Sequence, residues 1–203
     1  LGGLTPVAAN DNDGANQTSR IDFSAQAGVT YEIAIDGKNG ATGLTLLNLG
    51  SVPANDAFAN PVTLTGSSDT VTATNANCTR ETGEPRITVN GQSFAGGTSL
   101  WYQWTAPKSG RFQVAVTSDD FDPLLAIYTG TALNALALVA SNDDIATGNT
   151  SSLCTFNAIA GATYRITVDA KSAIGQFVLT LNDSLWQAAA TDAITGAPAV
   201  APD

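Results

Sequence analysis

The chain repeats itself, and the first copy lacks its front. Asn10-Asp11, in the run PVAANDND, aligns with Asn142-Asp143 in LVASNDD, 132 residues later. The correspondence continues from SRIDFSAQAGVTYEIAIDGK at 19–38 to SLCTFNAIAGATYRITVDAK at 152–171, now 133 residues apart after a one-residue insertion. Phe23 meets Phe156, Gly28 meets Gly161, Tyr31 meets Tyr164, Ile33 meets Ile166 and Asp36 meets Asp169. Residues 1–49 therefore read as the back half of a unit. A whole unit follows at about 54–183, and its front half, 54–132, has no counterpart upstream. Half of a layered domain cannot cover its own core, so whatever completes it bears on function.

Apolar residues alternate with polar ones almost throughout, and no stretch of ten or more residues keeps a helical period. In the whole unit this predicts strands near 61–65, 69–76, 99–106, 111–117, 123–128, 136–141, 151–157, 163–169 and 176–182. Turn residues punctuate them, among them Lys108-Ser109-Gly110 and Ala160-Gly161-Ala162. Short strands at this spacing predict an all-β fold, an antiparallel β-sandwich of jelly-roll or Ig-like type. The half unit supplies the last four strands, at about 4–9, 19–25, 29–36 and 44–49. The boundaries that follow are 1–50 for the C-terminal half of one repeat, 51–183 for a complete repeat and 184–203 for an Ala/Pro-rich tail or linker, with Leu185-Trp186 as its candidate anchor.

Eight Lys+Arg against eighteen Asp+Glu give a net charge of −10. No basic stripe exists for phosphate neutralisation, which argues against nucleic acid. No apolar run approaches the roughly 20 residues of a membrane span. The abundance of Thr, Ser, Asn, Gly and Ala suits a secreted or cell-surface β protein. The chain begins at Leu and contains no Met, and reads as a processed or excised part of a longer precursor. Cys154 falls opposite the core-facing Ile21 in the repeat, and the other cysteine, Cys78, lies in the half that the first copy lacks. A Cys78–Cys154 disulfide is the economical reading, two separate buried thiols the alternative, and a disulfide implies an oxidising compartment.

The absence of histidine removes Ser-His-Asp and Cys-His catalysis and the usual zinc sites. The remaining carboxylates, Glu81 and Glu84 in ETGEP, Asp119, Asp120 and Asp122 in SDDFDP, and Asp143 and Asp144 in NDD, sit in turns. Two readings stay open for them. One is calcium ligation, since calcium takes six to eight hard oxygens of the kind that such loops supply. On this reading the candidate ligands are Asn142, Asp143, Asp144, Asp120, Asp122, Glu81 and Glu84, with Asp11 and Asp13 repeating the cluster in the half unit. The other is Asx-turn capping of strand ends. Among the aromatics of LWYQWTAP, Tyr102 and Trp104 share one strand face and read as core, which leaves Trp101 as the candidate for stacking on a sugar ring. Asn16, Asn77, Asn149 and Asn182 open N-glycosylation triplets that count only in a glycosylating host.

The segments PANDAFANPVTLTG, SLWYQWTAPKSGRFQVAV, SDDFDPLLAIYTG, LALVASNDD, SLCTFNAIAGATYRITVDA and GQFVLTLND, taken in that order, resemble the bacterial pre-peptidase C-terminal domain and its relatives. The resemblance covers about 54–183, and its second half covers 1–49. It implies a β-sandwich without catalytic activity, appended to secreted peptidases or strung in tandem along surface proteins. Related collagen-binding modules hold calcium near the start of the domain. Here that start reads Pro53-Ala54-Asn55-Asp56 where the family often has Glu-Pro-Asn-Asp, so Asn55 and Asp56 match and the acidic residue is missing.

The expectation is a non-enzymatic extracellular structural or adhesive repeat protein, with calcium as its candidate cofactor. A neighbouring chain would complete its half unit by strand exchange, giving a homo-oligomer or filament. The alternative is an accessory module of a secreted hydrolase that binds a polysaccharide or matrix protein.

Overall fold

The computed structural model describes residues 3–12 and 18–184. The chain divides between Leu49 and Gly50 into two units. Asp13, Asn16 and the Leu185-Trp186 pair lie outside the described residues.

The second unit is the expected sandwich. Its strands are β1 (Val62–Leu64), β2 (Ser68–Thr74), β3 (Thr88–Val89), β4 (Gln92–Ser93), β5 (Leu100–Thr105), β6 (Gly110–Thr117), β7 (Pro123–Thr129), β8 (Ala137–Asn142), β9 (Ser152–Ala158), β10 (Thr163–Ala170) and β11 (Gln176–Asp183). A five-stranded sheet runs β1-β5-β10-β7-β8 and a four-stranded sheet β2-β11-β6-β9, with β3-β4 as a separate hairpin. Pairing is antiparallel except between β1 and β5. The nine strands read from alternation all form; β3 and β4, two residues each, were too short to show a period.

Alternation decides what goes between the sheets. Phe112, Val114 and Val116 of β6, Cys154 and Phe156 of β9, and Phe177, Leu179 and Leu181 of β11 all face the core. From the five-stranded sheet come Tyr102, Trp104, Leu125, Ile127, Tyr164, Ile166 and Val168. Trp104 lies 4.7 Å from Phe112 and Tyr164 lies 5.0 Å from Phe156, ring centre to ring centre. Each such side chain, fully buried, contributes about 1.5–3 kcal/mol.

Two expectations are corrected here. Trp101 is not a surface residue: it is 1% exposed. The outer face of the five-stranded sheet carries a second apolar cluster of Phe58, Ile87, Trp101, Leu124, Ala126 and Tyr128, with Val89 and Phe94 of the β3-β4 region packed on it. Trp101 meets Phe58 edge-on at 5.0 Å and donates its indole N–H to Glu84 at 2.9 Å. Strand alternation placed Trp101 opposite the core; it did not show that a loop folds over that opposite face.

The second correction concerns the cysteines, which are buried thiols not joined in a disulfide. Both lie in the main core, Cys78 with its sulfur 4.0 Å from the Thr74 carbonyl and Cys154 3.9 Å from that of Leu125. Burial pushes the Cys154 thiol up to about 12. At this position cysteine acts as a small apolar residue in place of the repeat's Ile21, which accounts for the exchange without a covalent partner.

In the first unit none of the four expected strands forms; among its described residues the sole regular element is a 3-10 turn at Lys38–Gly40. The second unit supplies the reason. There β8 pairs with β7, β9 with β6, β10 with β5 and β7, and β11 with β2 and β6. Every ladder of the back half thus runs to a strand of the front half, and no two back-half strands pair with each other. Residues 3–49 carry the sequence of four strands that are not one another's neighbours.

The local geometry of the repeat is nevertheless present. The Gln26 N–H donates to the Tyr31 hydroxyl at 3.0 Å, as the Ile159 N–H does to Tyr164 at 3.0 Å. Phe23 and Tyr31 rings lie 5.1 Å apart at 56°, Phe156 and Tyr164 rings 5.0 Å apart at 59°. The turn between the two ring-bearing segments bends through Gly28 (φ 79°) in the first unit and Gly161 (φ 77°) in the second, in the left-handed region that favours glycine. Asp36 accepts the Gly37 N–H at 2.8 Å, and Asp169 accepts the Ala170 N–H at the same distance.

Candidate functional site

Among the described residues, the candidate acidic residues separate into one cluster and several isolated caps. β7 is paired antiparallel with both β10 and β8, so its first residue lies beside the last residues of each. Asp122 immediately precedes β7, Asp143 and Asp144 follow β8, and Lys171 follows β10. The register therefore gathers all four at one end of the sheet. The Lys171 ammonium lies 2.7 Å from Asp143 Oδ2, 2.9 Å from Asp122 Oδ2 and 3.9 Å from Asp144 Oδ2. It also sits 5.2 Å from the centre of the Phe94 ring.

Three carboxylates against one ammonium leave the cluster negative. Asp122 Oδ1 and Asp143 Oδ1 are buried with no hydrogen-bond partner. Burial raises Asp143 above the ordinary carboxylate range, with the Lys171 hydrogen bond pulling the other way. For Lys171, burial works to lower it, but the hydrogen bonds to Asp143 and Asp122 together with their charge hold it above the usual lysine range. A shallow cavity of about 190 Å³ adjoins, lined by Phe94, Asn90, Gln92, Asn142, Asp143 and Asp144 among others.

Calcium needs six to eight oxygens around one point. Here the point between the carboxylates is taken by Lys171 Nζ, and an ammonium and a divalent ion repel at such range. With the lysine in place the residues do not fit calcium.

The other candidates are accounted for one by one. Asn142 accepts the Leu153 N–H at 2.9 Å, joining β8 to β9. The buried Ser152 hydroxyl lies 2.6 Å from the carbonyls of Pro123 and Asp143. Asp120 accepts the Gln176 N–H at 2.7 Å, and Glu81 accepts that of Phe58 at 2.7 Å. Glu84 is buried; its carboxylate accepts from Ser99 at 2.8 Å and from Trp101, and burial, outweighing these bonds, raises it. Asp56, at the start of the domain, accepts from the Thr79 N–H at 2.5 Å and its hydroxyl at 2.8 Å.

The first unit reproduces the cluster's frame. Lys38 pairs with Asp11 as Lys171 does with Asp143. The Ser19 hydroxyl donates to the Asp11 carbonyl at 2.5 Å, as Ser152 does to Asp143. Asn10 donates to the Arg20 carbonyl at 2.7 Å, bridging the same two positions as Asn142 and Leu153. Lys171 is the residue that sequence reasoning missed. Its signal was present, because Lys38 and Lys171 align just as Asp11 and Asp143 do.

Among the described residues, the aromatic side chain that borders the site is Phe94. Trp101, Tyr102, Trp104, Tyr128 and Tyr164 are all buried.

Residues 98–170 match the family model of the bacterial pre-peptidase C-terminal domain, the family that the sequence resembles. The match runs from the approach to β5 to the end of β10 and so takes in strands of both sheets. No curated protein matches the chain. Among solved structures, the pre-peptidase C-terminal domain of a collagenase from Bacillus anthracis aligns with a TM-score of 0.40 at 14% identity, over 60% of this chain and 94% of that one. A surface-associated copper-binding protein of Methylomicrobium album BG8 aligns with a TM-score of 0.40 at 8% identity, over 61% and 97%. A carbohydrate-binding module of a Cellvibrio mixtus lichenase, solved with cellotriose, aligns with a TM-score of 0.31 at 20% identity, over 56% and 97%.

Proposed function

From the pre-peptidase C-terminal match over residues 98–170, we propose that this chain is a non-catalytic structural segment of an extracellular protein built from tandem copies of one sandwich. The observation that carries the reading is the recurrence of the same hydrogen bonds and ring contacts, 132 to 133 residues apart, in both units. Recurrence at fixed spacing belongs to a repeat architecture, in which copies are selected for stacking and spacing. The acidic residues support it: Asp122 and Asp143 are engaged by lysine, Glu81 and Asp120 by backbone N–H groups, and Glu84 by Ser99 and Trp101, as structural carboxylates are. The extracellular assignment rests on the family resemblance and the acidic, turn-rich composition. No helix of the described residues is long and apolar enough to cross a membrane.

The test is an array of polysaccharides and fibrous proteins probed with the 203-residue chain. The expected result is no saturable binding. The competing accessory-module reading would place binding at a shallow groove of about 460 Å³ bordered by Thr72, Ser118, Asp119, Asp120 and Gln176. Saturable binding that is lost on changing Asp119 or Thr72 would establish that reading instead.

A further inference from the structure

We infer that Arg165 and Thr167, on the outer face of β10, hold one small monovalent anion, a halide such as chloride. The site is additional to the structural role proposed above and does not depend on it.

β10 lies between β5 and β7, so each outward side chain on it stands between two strand neighbours. Arg165 is opposite Gln103 and Tyr128, and Thr167 is opposite Trp101 and Ala126. Tyr164, Ile166 and Val168 face the core, which puts Arg165 and Thr167 on the other face, their Cα atoms about 6.7 Å apart. The central carbon of the Arg165 guanidinium lies 4.7 Å over the Phe58 ring, and Phe58 meets Trp101 edge-on at 5.0 Å. The ring covers one side of the planar cation and takes no hydrogen bond from the N–H groups around its edge.

Three polar atoms at this place are buried and without a hydrogen-bond partner: Arg165 Nε, Arg165 Nη1 and Thr167 Oγ1. Thr167 as a whole is 3% exposed. Among the described residues the nearby carboxylates are engaged elsewhere. Glu81 accepts the Phe58 N–H at 2.7 Å, Glu84 accepts from Ser99 and Trp101, and Asp169 accepts the N–H groups of Gly97 and Thr98 at 2.9 Å. A buried polar group almost always has a partner, and a buried charge is paired.

The chemistry of these atoms selects the ligand. Nε and Nη1 carry three N–H donors and no acceptor, and the threonine hydroxyl supplies a fourth donor. A water molecule among them brings two hydrogens that need acceptors of their own, and it leaves the charge uncompensated. An anion accepts from all four and neutralises the guanidinium. Its size follows from the packing. Trp101 and Ala126, on either side of Thr167, are 1% and 0% exposed, which leaves room for an ion of one atom and not for a phosphate or carboxylate group. The order Arg165, Thr167, Asp169 along β10 sets the ion on the arginine side of Thr167, away from the Asp169 carboxylate.

The two residues also change together. At an offset of 133 they correspond to Glu32 and Ala34, a negative charge and a methyl group, while Tyr31, Ile33 and Ile35 keep the apolar character of Tyr164, Ile166 and Val168. The first unit therefore carries neither anion ligand.

The test uses the 203-residue chain, with bromide and chloride as probes. In crystals grown from sodium bromide, anomalous scattering should place an ion beside Arg165 Nε, Arg165 Nη1 and Thr167 Oγ1. In solution, the thermal midpoint should rise by about 3–5 °C for each tenfold increase in sodium chloride above the dissociation constant, and by less than about 1 °C in sodium acetate of equal ionic strength. Acetate screens the net charge of −10 as chloride does, so the difference between the salts reports the site. Arg165→Met keeps the contact with Phe58 and removes the charge; it should melt in acetate no lower than the wild type and respond equally to both salts. Thr167→Val keeps the shape and should move the onset of the rise to about tenfold higher chloride. A water and no bromide at those three atoms overturns the inference. So does an acetate response equal to that of chloride in the wild type, or a difference between the salts that survives in Arg165→Met.

Discussion

Residues 19–38 and 152–171 have the same turn, the same tyrosine-to-backbone bond, the same ring pair and the same lysine-to-aspartate pair, yet one stretch is exposed and the other forms strands in two sheets. The difference separates two kinds of information. Turn and capping geometry is written in neighbouring residues and appears without a partner. A strand is a relation between segments, and it exists here only where front-half neighbours are present.

The two stretches differ most at the core position. Ile166→Asp buries an unpaired charge where the wild-type side chain is 0% exposed, and should cost more than about 4 kcal/mol, enough to unfold the second unit in a thermal melt. Ile33→Asp, at the equivalent exposed position, should move the same melt by no more than about 0.5 kcal/mol. Next in size is thiol chemistry. Ile21→Cys should react with a thiol reagent at the rate of an ordinary surface cysteine, while Cys154, raised to about 12 by burial, should react about 1,000-fold more slowly until the protein unfolds. In denaturant without reductant the wild-type chain should show two reactive thiols, against none for a disulfide.

Tyr164→Phe removes the acceptor for a part-buried N–H and should cost about 1–2 kcal/mol, with Tyr31→Phe near zero by the same denaturant titration. Lys171→Ala strips three carboxylates of their cation and should cost about 1–3 kcal/mol, against about 0.5 or less for the exposed Lys38. The wild-type melting temperature should not differ between excess calcium and excess chelator, whereas the Lys171→Ala protein should gain a calcium-dependent rise. The smallest expected effect is a pH slope. Glu84 holds its proton to higher pH in the fold than its ordinary value of 4.5, so its contribution is complete below 4.5 and is lost as pH rises above it. Glu84→Gln should flatten that slope in melts followed from pH 4 upward.

The fold was legible because its strands are long enough to show a period of two: Phe112, Val114 and Val116 announce a one-sided strand before any partner is known. Trp101 was misread because alternation tells which face a residue takes and not whether that face is covered, and the covering segment, 87–94, has no period of its own. The candidate site was half legible. Asp122, Asp143 and Asp144 were grouped by residue type, and the structure brings them together, but Lys171 was absent from the grouping because a search for metal ligands looks for oxygen. Asp120, Glu81 and Glu84 drew the same attention and belong elsewhere, each tied to a backbone or side-chain N–H that sequence spacing does not reveal.

The interleaved order of the strands also sets when the sandwich can close. β10 is the sole link between β5 and β7, and β11 the sole link between β2 and β6. While the chain is being made, everything up to residue 162 can form edge pairs and hairpins but neither sheet. Residues 163–183 then complete both at once. Such late, non-local closure makes folding slow and all-or-none, and leaves each newly made repeat open until its own last two strands emerge.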